Sequence, residues 1–282
     1  MVRWLLVIAL VACKGPLDNE RAQLDDSARL GADARLSKLA ATTREHAKRV
    51  TGIVLKRAQA LAAIPELTAA LLTEGSERQS KARVGFMKFI VAGTDKPDAL
   101  ALVDINGDVI AMHDTPAPIP KMWRAETPGA KTRFPALDFV LASTTSISDT
   151  ILYSDAPLRI GAATLVDAGR PIGAVVTLYA MNASMAARDK STVGADVGYV
   201  TGTKALVTTL GEHATWAQLS DWLATKPASS AAFAAGTGSE ASRYVVRTVE
   251  IPRAAATEVP ASYPPSPISM LVFEKVTGIL EP

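Results

Sequence analysis

The sequence has little of the chemistry on which disulfide frameworks, metal sites and nucleic-acid binding depend. Cysteine occurs once in 282 residues, so an internal disulfide is excluded. The three histidines, His46, His113 and His213, have no i,i+4 partner and no neighbouring cysteine, and we therefore expect no metal site. The net charge is +2 and neither half of the chain is strongly basic, so nucleic acid is not expected as a partner.

Aromatic residues are also scarce, at 5% of the chain, although 48% of the residues are apolar. Alanine supplies much of that apolar fraction, which predicts long helices and a core with few large side chains. The chain has enough apolar residues for one large domain or two small ones.

Signatures of catalysis and of cofactor binding are missing. There is no G-x-S-x-G motif, and Gly236-Thr237-Gly238-Ser239 lacks the lysine and the preceding strand of a phosphate-binding loop. The stretch D-I-N-G-D at 104–108 begins like a calcium loop. However, Val109 occupies the position of the turn glycine and Thr115 that of the bidentate acid. We therefore expect neither an enzyme nor a bound metal or cofactor.

The amino-terminal segment has the features of a secretory signal. Arg3 precedes an apolar run, Trp4–Ala12, which as a helix would span only about 14 Å, against about 30 Å for a bilayer core. L-V-A-C at 10–13 resembles the bacterial lipobox, and this resemblance implies cleavage before Cys13 and lipidation of that cysteine. By the same resemblance, Lys14, in place of an aspartate, favours the outer membrane. A plain signal peptide followed by an incidental cysteine is the alternative.

Residues 17–64, which follow this segment, have the pattern of a long helix. Residues 17–64 contain no proline, and their only glycines are Gly31 and Gly52. Apolar and small residues recur with a period near 3.5, at Leu36, Leu39, Thr43, His46, Val50, Ile53, Ala60 and Ile64. This pattern predicts one amphipathic helix of roughly 70 Å, or two helices meeting near Gly31, ended by Pro65. We expect its apolar seam to pack on the globular part or on a second copy of the chain.

The remaining residues predict two successive sets of hairpin, helix and long antiparallel strands, separated near residues 182–195. In the first set, Asn106-Gly107 predicts a type I′ hairpin, residues 134–142 a short helix, and residues 151–167 one strand that bends near Pro157. Short helices are predicted at 66–72 and 76–91, and an apolar strand at 172–181. In the second set, Gly202 predicts a hairpin, and strands at 243–251 and 268–275 are joined by a proline-rich crossing.

One group of polar residues beside the predicted central sheet is a candidate ligand site. It consists of Trp123, Arg124, Asp149, Tyr153, Asp155 and Arg159. Tyr153 and Asp155 are two residues apart in one predicted strand, so their side chains should share a face. A carboxylate, a phenol and nearby cations could hold a small polar ligand there. An ion-paired or solvated sheet face is the alternative.

Several stretches resemble bacterial extracytoplasmic Cache sensor domains, which have a PAS-like fold. They are A-A-I-P-E-L at 62–67, L-V-D-I-N-G-D-V at 102–109, A-P-L at 156–158 and G-R-P-I-G-A-V-V at 169–176, with K-A-L-V-T-T-L at 204–210 resembling the smaller lobe of a double Cache domain. The resemblance implies an α+β fold in which a long N-terminal helix is followed by two PAS-like antiparallel-sheet lobes. It divides the chain into a signal peptide (1–12), a lipidated N-terminus and helical stalk (13–75), a larger lobe (76–185) and a smaller lobe (186–282).

The resemblance also implies a function. We expect a lipid-anchored cell-envelope sensory protein that faces the periplasm or the exterior and binds a small metabolite such as an amino acid or carboxylate. The amino-acid-binding signature of one double Cache group is not evident, so no ligand residues are transferred. The sequence shows no second apolar segment and no output module, so a signal would pass to a separate partner, or to a second copy through the long helix. The alternative is a structural or interaction lipoprotein that has kept the fold without binding a ligand.

Overall fold

In the computed structural model, residues 16–93, 96–114, 123, 130–211, 213–227, 232–235 and 242–276 are described. The helices are α1 (Pro16–Ala62), α2 (Pro65–Leu71), α3 (Ser76–Ala92), α4 (Pro135–Leu141), α5 (Ala183–Val193) and α6 (His213–Ala224). The strands are β1 (Ala99–Asp104), β2 (Val109–Asp114), β3 (Ser146–Tyr153), β4 (Ala156–Asp167), β5 (Arg170–Ala180), β6 (Asp196–Thr201), β7 (Lys204–Thr208), β8 (Ala232–Ala235), β9 (Ser242–Glu250), β10 (Ala254–Ala255) and β11 (Ser269–Lys275). No helix among these residues has a stretch long and apolar enough to span a bilayer.

The strands form two antiparallel sheets that follow the same order. The first sheet runs β10-β3-β4-β5-β1-β2 and the second runs β7-β6-β11-β9-β8. Apart from the added edge strand β10, each sheet places its first strand beside its last and its second strand at one edge. The predicted fold class, α+β with a long N-terminal helix and two PAS-like sheets, is confirmed.

Helix α1 is one continuous helix of 47 residues that passes through Gly31 without a break. It packs against β3, β4 and β5 of the first sheet and against β9 and β11 of the second, so it joins the two sheets. Its buried side chains are mostly small: Ala32, Leu36, Ala40, Thr43, Ala47, Thr51, Val54, Ala58 and Leu61. The buried hydroxyls are satisfied locally, since Thr43 and Thr51 donate to the carbonyls of Leu39 and Ala47 at 2.7 and 2.8 Å.

The predicted seam of α1 was therefore only partly correct. Leu36 and Thr43 are buried as expected, but Ile53 is 44% exposed. The observed face is set by close approach to the sheets, which favours alanine and threonine over larger residues. At Gly161 of β4, an added Cβ would lie 2.9 Å from the backbone oxygen of Val54, so only glycine allows the helix to sit this close.

Each face of the first sheet has its own apolar layer. Leu100 and Leu102 of β1 face α1, α2 and α3, where they pack with Leu61, Leu67 and Phe86. The alternate residues Ala99, Ala101 and Val103 face α4 and pack in a second layer with Trp123, Phe134 and Leu137. Because both faces are covered, β1 is a continuous apolar run rather than an alternating one.

The second sheet is likewise covered on both sides. Val245, Val249 and Val272 pack against Ala32 and Leu36 of α1. Val246, Leu271 and Phe273 lie on the opposite face, where they pack with Phe233 of β8 and Leu219 of α6. The amino-terminal half of α1 thus covers the second sheet, and its carboxyl-terminal half covers the first.

Two hairpins differ from the sequence prediction. The β1–β2 turn is not type I′, because Gly107 is the only residue of the turn with positive φ (+89°). Asp104 organises the turn: its carbonyl accepts from the Gly107 N–H at 3.1 Å, and its carboxylate accepts from the N–H groups of Asn106 and Asp108, each at 2.9 Å. This is a type I turn followed by a left-handed glycine and a bulge. Such a turn needs only one residue with positive φ, and here the Asp104 carboxylate stabilises it by accepting backbone hydrogen bonds.

The second difference concerns residues 151–167, which do not form one bent strand. Strand β3 ends at Tyr153, Ser154 and Asp155 form a two-residue turn with φ of 45° and 68°, and β4 begins at Ala156. Two consecutive positive φ values define a type I′ turn, which sequence reasoning associates with glycine or asparagine. The prediction that Tyr153 and Asp155 lie on one strand face was therefore wrong.

Candidate functional site

The structure distributes the predicted ligand residues over three places. The side chains of Ile147, Asp149, Ile151 and Tyr153 lie on the face of β3 that packs against α4. Trp123 packs in the same apolar layer. Arg159 of β4 lies on the opposite face, toward α1, since its neighbours Leu158 and Ile160 face α4. Cys13 and Arg124 lie outside the described residues.

Asp155 lies apart from the other predicted residues. It is in the β3–β4 turn, its side chain is 67% exposed, and its carboxylate pairs with the Lys204 ammonium at 2.8 Å. Because Lys204 begins β7, this surface ion pair connects the first sheet to the second. It is not positioned to share a ligand with Tyr153.

Trp123 is part of the apolar layer under α4. It is 3% exposed, and its ring meets the edge of the Phe134 ring at a centroid distance of 5.2 Å and an interplanar angle of 85°. Its carbonyl accepts a hydrogen bond from the Arg133 N–H at 2.8 Å. Trp123 therefore fixes the segment that leads into α4.

A buried carboxylate forms the polar centre of this face. Asp149 accepts from its neighbour's N–H (Thr150) at 2.8 Å and from the Tyr263 hydroxyl at 3.0 Å. The Arg253 guanidinium lies 3.8 Å from the carboxylate and 4.5 Å from the centre of the Tyr263 ring. Burial raises the pKa of Asp149, although the Thr150 N–H, the charge of Arg253 and the Tyr263 hydroxyl oppose that rise. Burial next to this acid also raises the pKa of Tyr263.

Sequence reasoning missed Tyr263 and Arg253. Both lie between β9 and β11, in the segment that was predicted only as a proline-rich crossing. This segment returns to the first sheet, where β10 pairs with Ile147 and Ser148 of β3. An aromatic residue among prolines, as in S-Y-P-P at 262–265, was the available signal that the crossing is anchored by packing.

Between α4 and this crossing lies a cleft of about 580 Å³, which we call the α4 cleft. The α4 cleft is lined by Ala130, Thr132, Arg133, Pro135, Asp138, Phe139, Pro260, Ser262, Tyr263 and Pro264. The Phe139 and Tyr263 rings meet edge to face at 5.8 Å and form its floor. Asp138 accepts from the Thr132 N–H at 2.8 Å, which holds the carboxylate in place at the rim.

A second cavity, of about 420 Å³, lies on the other face of the first sheet, between α1 and α5, and we call it the α1–α5 cavity. Arg159 lines it, as do His46 of α1 and Asp189 of α5. His46 Nε2 lies 2.8 Å from one Asp189 oxygen, and the Tyr199 hydroxyl donates to the other. Burial alone would raise the pKa of Asp189, but the hydrogen bonds from His46 and Tyr199 and the charge of Arg159 lower it overall.

No family model matches the sequence, and no curated protein matches it. Solved structures of sensory domains do resemble the fold. A domain of a sensory box/GGDEF family protein from Vibrio parahaemolyticus superposes with a TM-score of 0.53 at 6% identity, covering 88% of this chain and 97% of that one. The ligand-binding domain of the Campylobacter jejuni chemoreceptor Tlp3, in complex with L-valine, gives a TM-score of 0.47 at 11% identity, over 95% of this chain and 99% of that one.

The ligand-binding domain of the Pseudomonas fluorescens chemoreceptor CtaA, in complex with L-leucine, gives a TM-score of 0.46 at 16% identity, over 89% of this chain and 97% of that one. At such identities the likeness concerns the fold alone. Together with the long helix and the two sheets of matching order, the likeness to the Vibrio parahaemolyticus domain shows that this chain shares the fold of that sensory domain.

Proposed function

We propose that this chain is a lipid-anchored sensory protein of the cell envelope that binds a small zwitterionic metabolite, such as an amino acid, in the α4 cleft. The observation that carries the proposal is the presence of one cation and one acid in the lining of a cleft that also has an aromatic floor. Arg133 and Asp138 both line this cleft, as the two ends of a zwitterion require. The apolar floor of Phe139 and Tyr263 would take the side chain of the ligand.

Binding is tested by thermal shift and calorimetry with the purified protein and a panel of amino acids. We expect at least one of them to raise the melting temperature. Arg133→Gln and Asp138→Asn should each weaken its binding about tenfold or more, because each removes one charge-assisted contact. Arg170→Gln, at the exposed first residue of β5, is the matched control and should leave binding unchanged. If no amino acid binds, or if the two cleft variants bind like the control, the α4 cleft is not the site.

The anchor is a separate part of the proposal, supported by the lipobox-like L-V-A-C at 10–13. A diacyl or triacyl group on Cys13 would hold the protein at the membrane through roughly 0.8 kcal/mol per buried CH₂. Cys13→Ala should release the protein from the membrane fraction, whereas the neighbouring Lys14→Ala should not. Lys14 favours the outer membrane, which density-gradient fractionation of the two membranes tests. A Cys13→Ala variant that stays with the membranes would refute the anchor.

A second candidate, a structural or interaction protein, is favoured by one observation. The face of the first sheet under α4 is covered by small and branched side chains that are all buried, among them Ala99, Ala101, Leu137 and Val140. This candidate predicts that no metabolite binds and that a specific envelope partner, or a second copy through the exposed side of α1, co-purifies. Cross-linking followed by mass measurement separates the two candidates.

A further inference from the structure

Arg159 is placed where a charged side chain has no evident structural role. It is 2% exposed, and its Nε and Nη1 atoms have no hydrogen-bond partner among the described residues. Buried polar groups are almost always paired, and a guanidinium offers five donors that must otherwise be stripped of water. Buried donors left without partners at the wall of a cavity therefore indicate a missing acceptor.

Asp189, which lines the same cavity, does not supply that acceptor. Asp189 contributes to the electrostatic environment of Arg159, but its two oxygens are already bonded to His46 and to the Tyr199 hydroxyl. No ion pair within 4.0 Å joins Arg159 to an acid in the described part of the chain. Burial lowers the pKa of Arg159, and the negative charge of Asp189 opposes that change.

The rest of the α1–α5 cavity has the character of an anion site with an apolar wall. Three further cations line it, Arg57, Lys96 and Arg188, against two acids, Asp98 and Asp189. The first turn of α5 also lies at the cavity through Asn182 and Ser184, and its N–H groups add positive potential. The cavity is also lined by five apolar residues, which we call the aliphatic wall: Val50, Ile53, Val54, Ala180 and Met185.

We propose that the α1–α5 cavity binds a small aliphatic carboxylate, whose carboxylate accepts hydrogen bonds from the Arg159 guanidinium and whose chain lies against the aliphatic wall. A planar guanidinium matches a carboxylate in shape and charge. The site is separate from the α4 cleft, because Arg159 and the α4 layer occupy opposite faces of the first sheet. It lies between α1, which spans both sheets, and α5, which leads into the second sheet. Occupancy would therefore bear on the contact between the two sheets.

The test uses the purified protein with acetate, propanoate, butanoate and succinate as probes, and with inorganic phosphate for comparison, measured by calorimetry and saturation-transfer NMR. We expect at least one carboxylate to bind. Arg159→Met should weaken its binding about tenfold or more, because it removes a charge-assisted hydrogen bond. Arg159→Met should not unfold more easily than the parent protein, because it removes a buried charge that lacks hydrogen bonds.

A second variant keeps the test decisive if Arg159→Met does not fold. Ile53→Trp places a bulky ring in the cavity from a side chain that is 44% exposed, so it need not disturb the core. Val84→Trp, from a 48% exposed side chain on α3, is its matched control. We expect Ile53→Trp to weaken carboxylate binding and Val84→Trp to leave it unchanged.

Four results would overturn the proposal: no carboxylate binding at millimolar concentration, binding that survives Ile53→Trp, binding of phosphate alone, or a soaked crystal with only water on Arg159. Failure of this site is distinguishable from failure of the α4 cleft. Arg133→Gln affects only the α4 cleft, and Ile53→Trp affects only the α1–α5 cavity.

Discussion

The contact of α1 with the first sheet depends on the absence of a side chain at Gly161, and Gly161→Ala tests it. An added Cβ would lie 2.7 Å from the Thr177 hydroxyl, 2.8 Å from a methyl carbon of Val54 and 2.9 Å from the Val54 carbonyl oxygen. All three distances are too short for a carbon atom, and the carbonyl belongs to the backbone of α1. The helix would therefore have to move away from β4.

The magnitude follows from the kind of clash. Overpacking a well-filled interior typically costs about 1–3 kcal/mol, and a backbone atom that cannot rotate away places this site in the upper part of that range. Gly52→Ala, on the same helix, is the matched control because an added Cβ there meets nothing within 4 Å. Removing a glycine from a helix interior should stabilise it by about 0.8–1 kcal/mol. The same substitution should thus have opposite signs at the two positions.

Urea unfolding monitored by circular dichroism measures both changes. We expect the midpoint to fall for Gly161→Ala and to rise for Gly52→Ala, with the slope of each transition unchanged. If Gly161→Ala is as stable as the parent protein, α1 does not pack on β4 as described. If both variants are destabilised equally, the loss reflects the replacement of a glycine and not the contact between α1 and β4.

Three further predictions concern single polar contacts. Asp104→Ala should cost about 1–2 kcal/mol, because two N–H groups of the β1–β2 turn lose their acceptor. Tyr263→Phe should cost about 1–2 kcal/mol at neutral pH, where the hydroxyl stabilises the buried Asp149 carboxylate, and less as the pH falls through the folded-state pKa of Asp149, which burial raises. Asp189→Asn should cost about 2–4 kcal/mol of unfolding free energy at neutral pH. Because the pKa of Asp189 is lowered in the folded protein, the stabilisation by the carboxylate is fully present above the unfolded pKa of about 3.9. It is lost as the pH falls through the folded-state pKa.

Each of these has a control of the same residue type. The controls are Asp167→Ala at the end of β4 for Asp104→Ala, Tyr153→Phe on β3 for Tyr263→Phe, and Asp221→Asn on α6 for Asp189→Asn. Each control should change the free energy of unfolding by less than about 0.5 kcal/mol. All are followed by urea unfolding at several pH values. A loss of stability in Tyr263→Phe that grows toward acid pH would contradict the hydrogen bond between Tyr263 and the ionised Asp149. An Asp189→Asn deficit that persists unchanged far below pH 4 would contradict its lowered pKa.

Local features of the fold could be predicted because they depend on neighbouring residues. The absence of proline between Pro16 and Pro65 predicted a long helical region, as one helix or as two meeting near Gly31, and the structure has the single helix α1, which ends at Ala62. The helices predicted at 66–72, 76–91 and 134–142 all form, within a residue or two, as α2, α3 and α4. The hairpin at Gly202 also forms, with positive φ at that residue. Periodicity and turn residues act over a few positions, so the sequence displays them directly.

The errors have physical reasons of longer range. The turn at Ser154-Asp155 lacks glycine, and its type I′ geometry is held by the pairing of β3 with β4 on either side. The buried face of α1 differs in part from the predicted apolar seam, because the close approach of the helix to the sheets favours small residues over large apolar ones on that face. The expected ligand residues lie apart because successive residues of a strand point to opposite faces of the sheet, so that Tyr153 and Arg159 lie on different faces. Asp155 belongs to the turn between the two strands.

The amino-acid sequence by itself determined the long helical region before Pro65, most of the helices and strands that follow it, and the absence of recognisable catalytic and metal-binding motifs. These features rest on composition, on periodicity and on proline and glycine positions, which are local. Only the tertiary structure decided that Arg253 and Tyr263 return to Asp149 and that Arg159 faces α5 across a cavity. Those relations involve residues far apart in the sequence; Tyr263 and Asp149, for example, are 114 positions apart. They are fixed by the strand order of two sheets and by one helix packed across both, a relation that no short stretch of sequence contains.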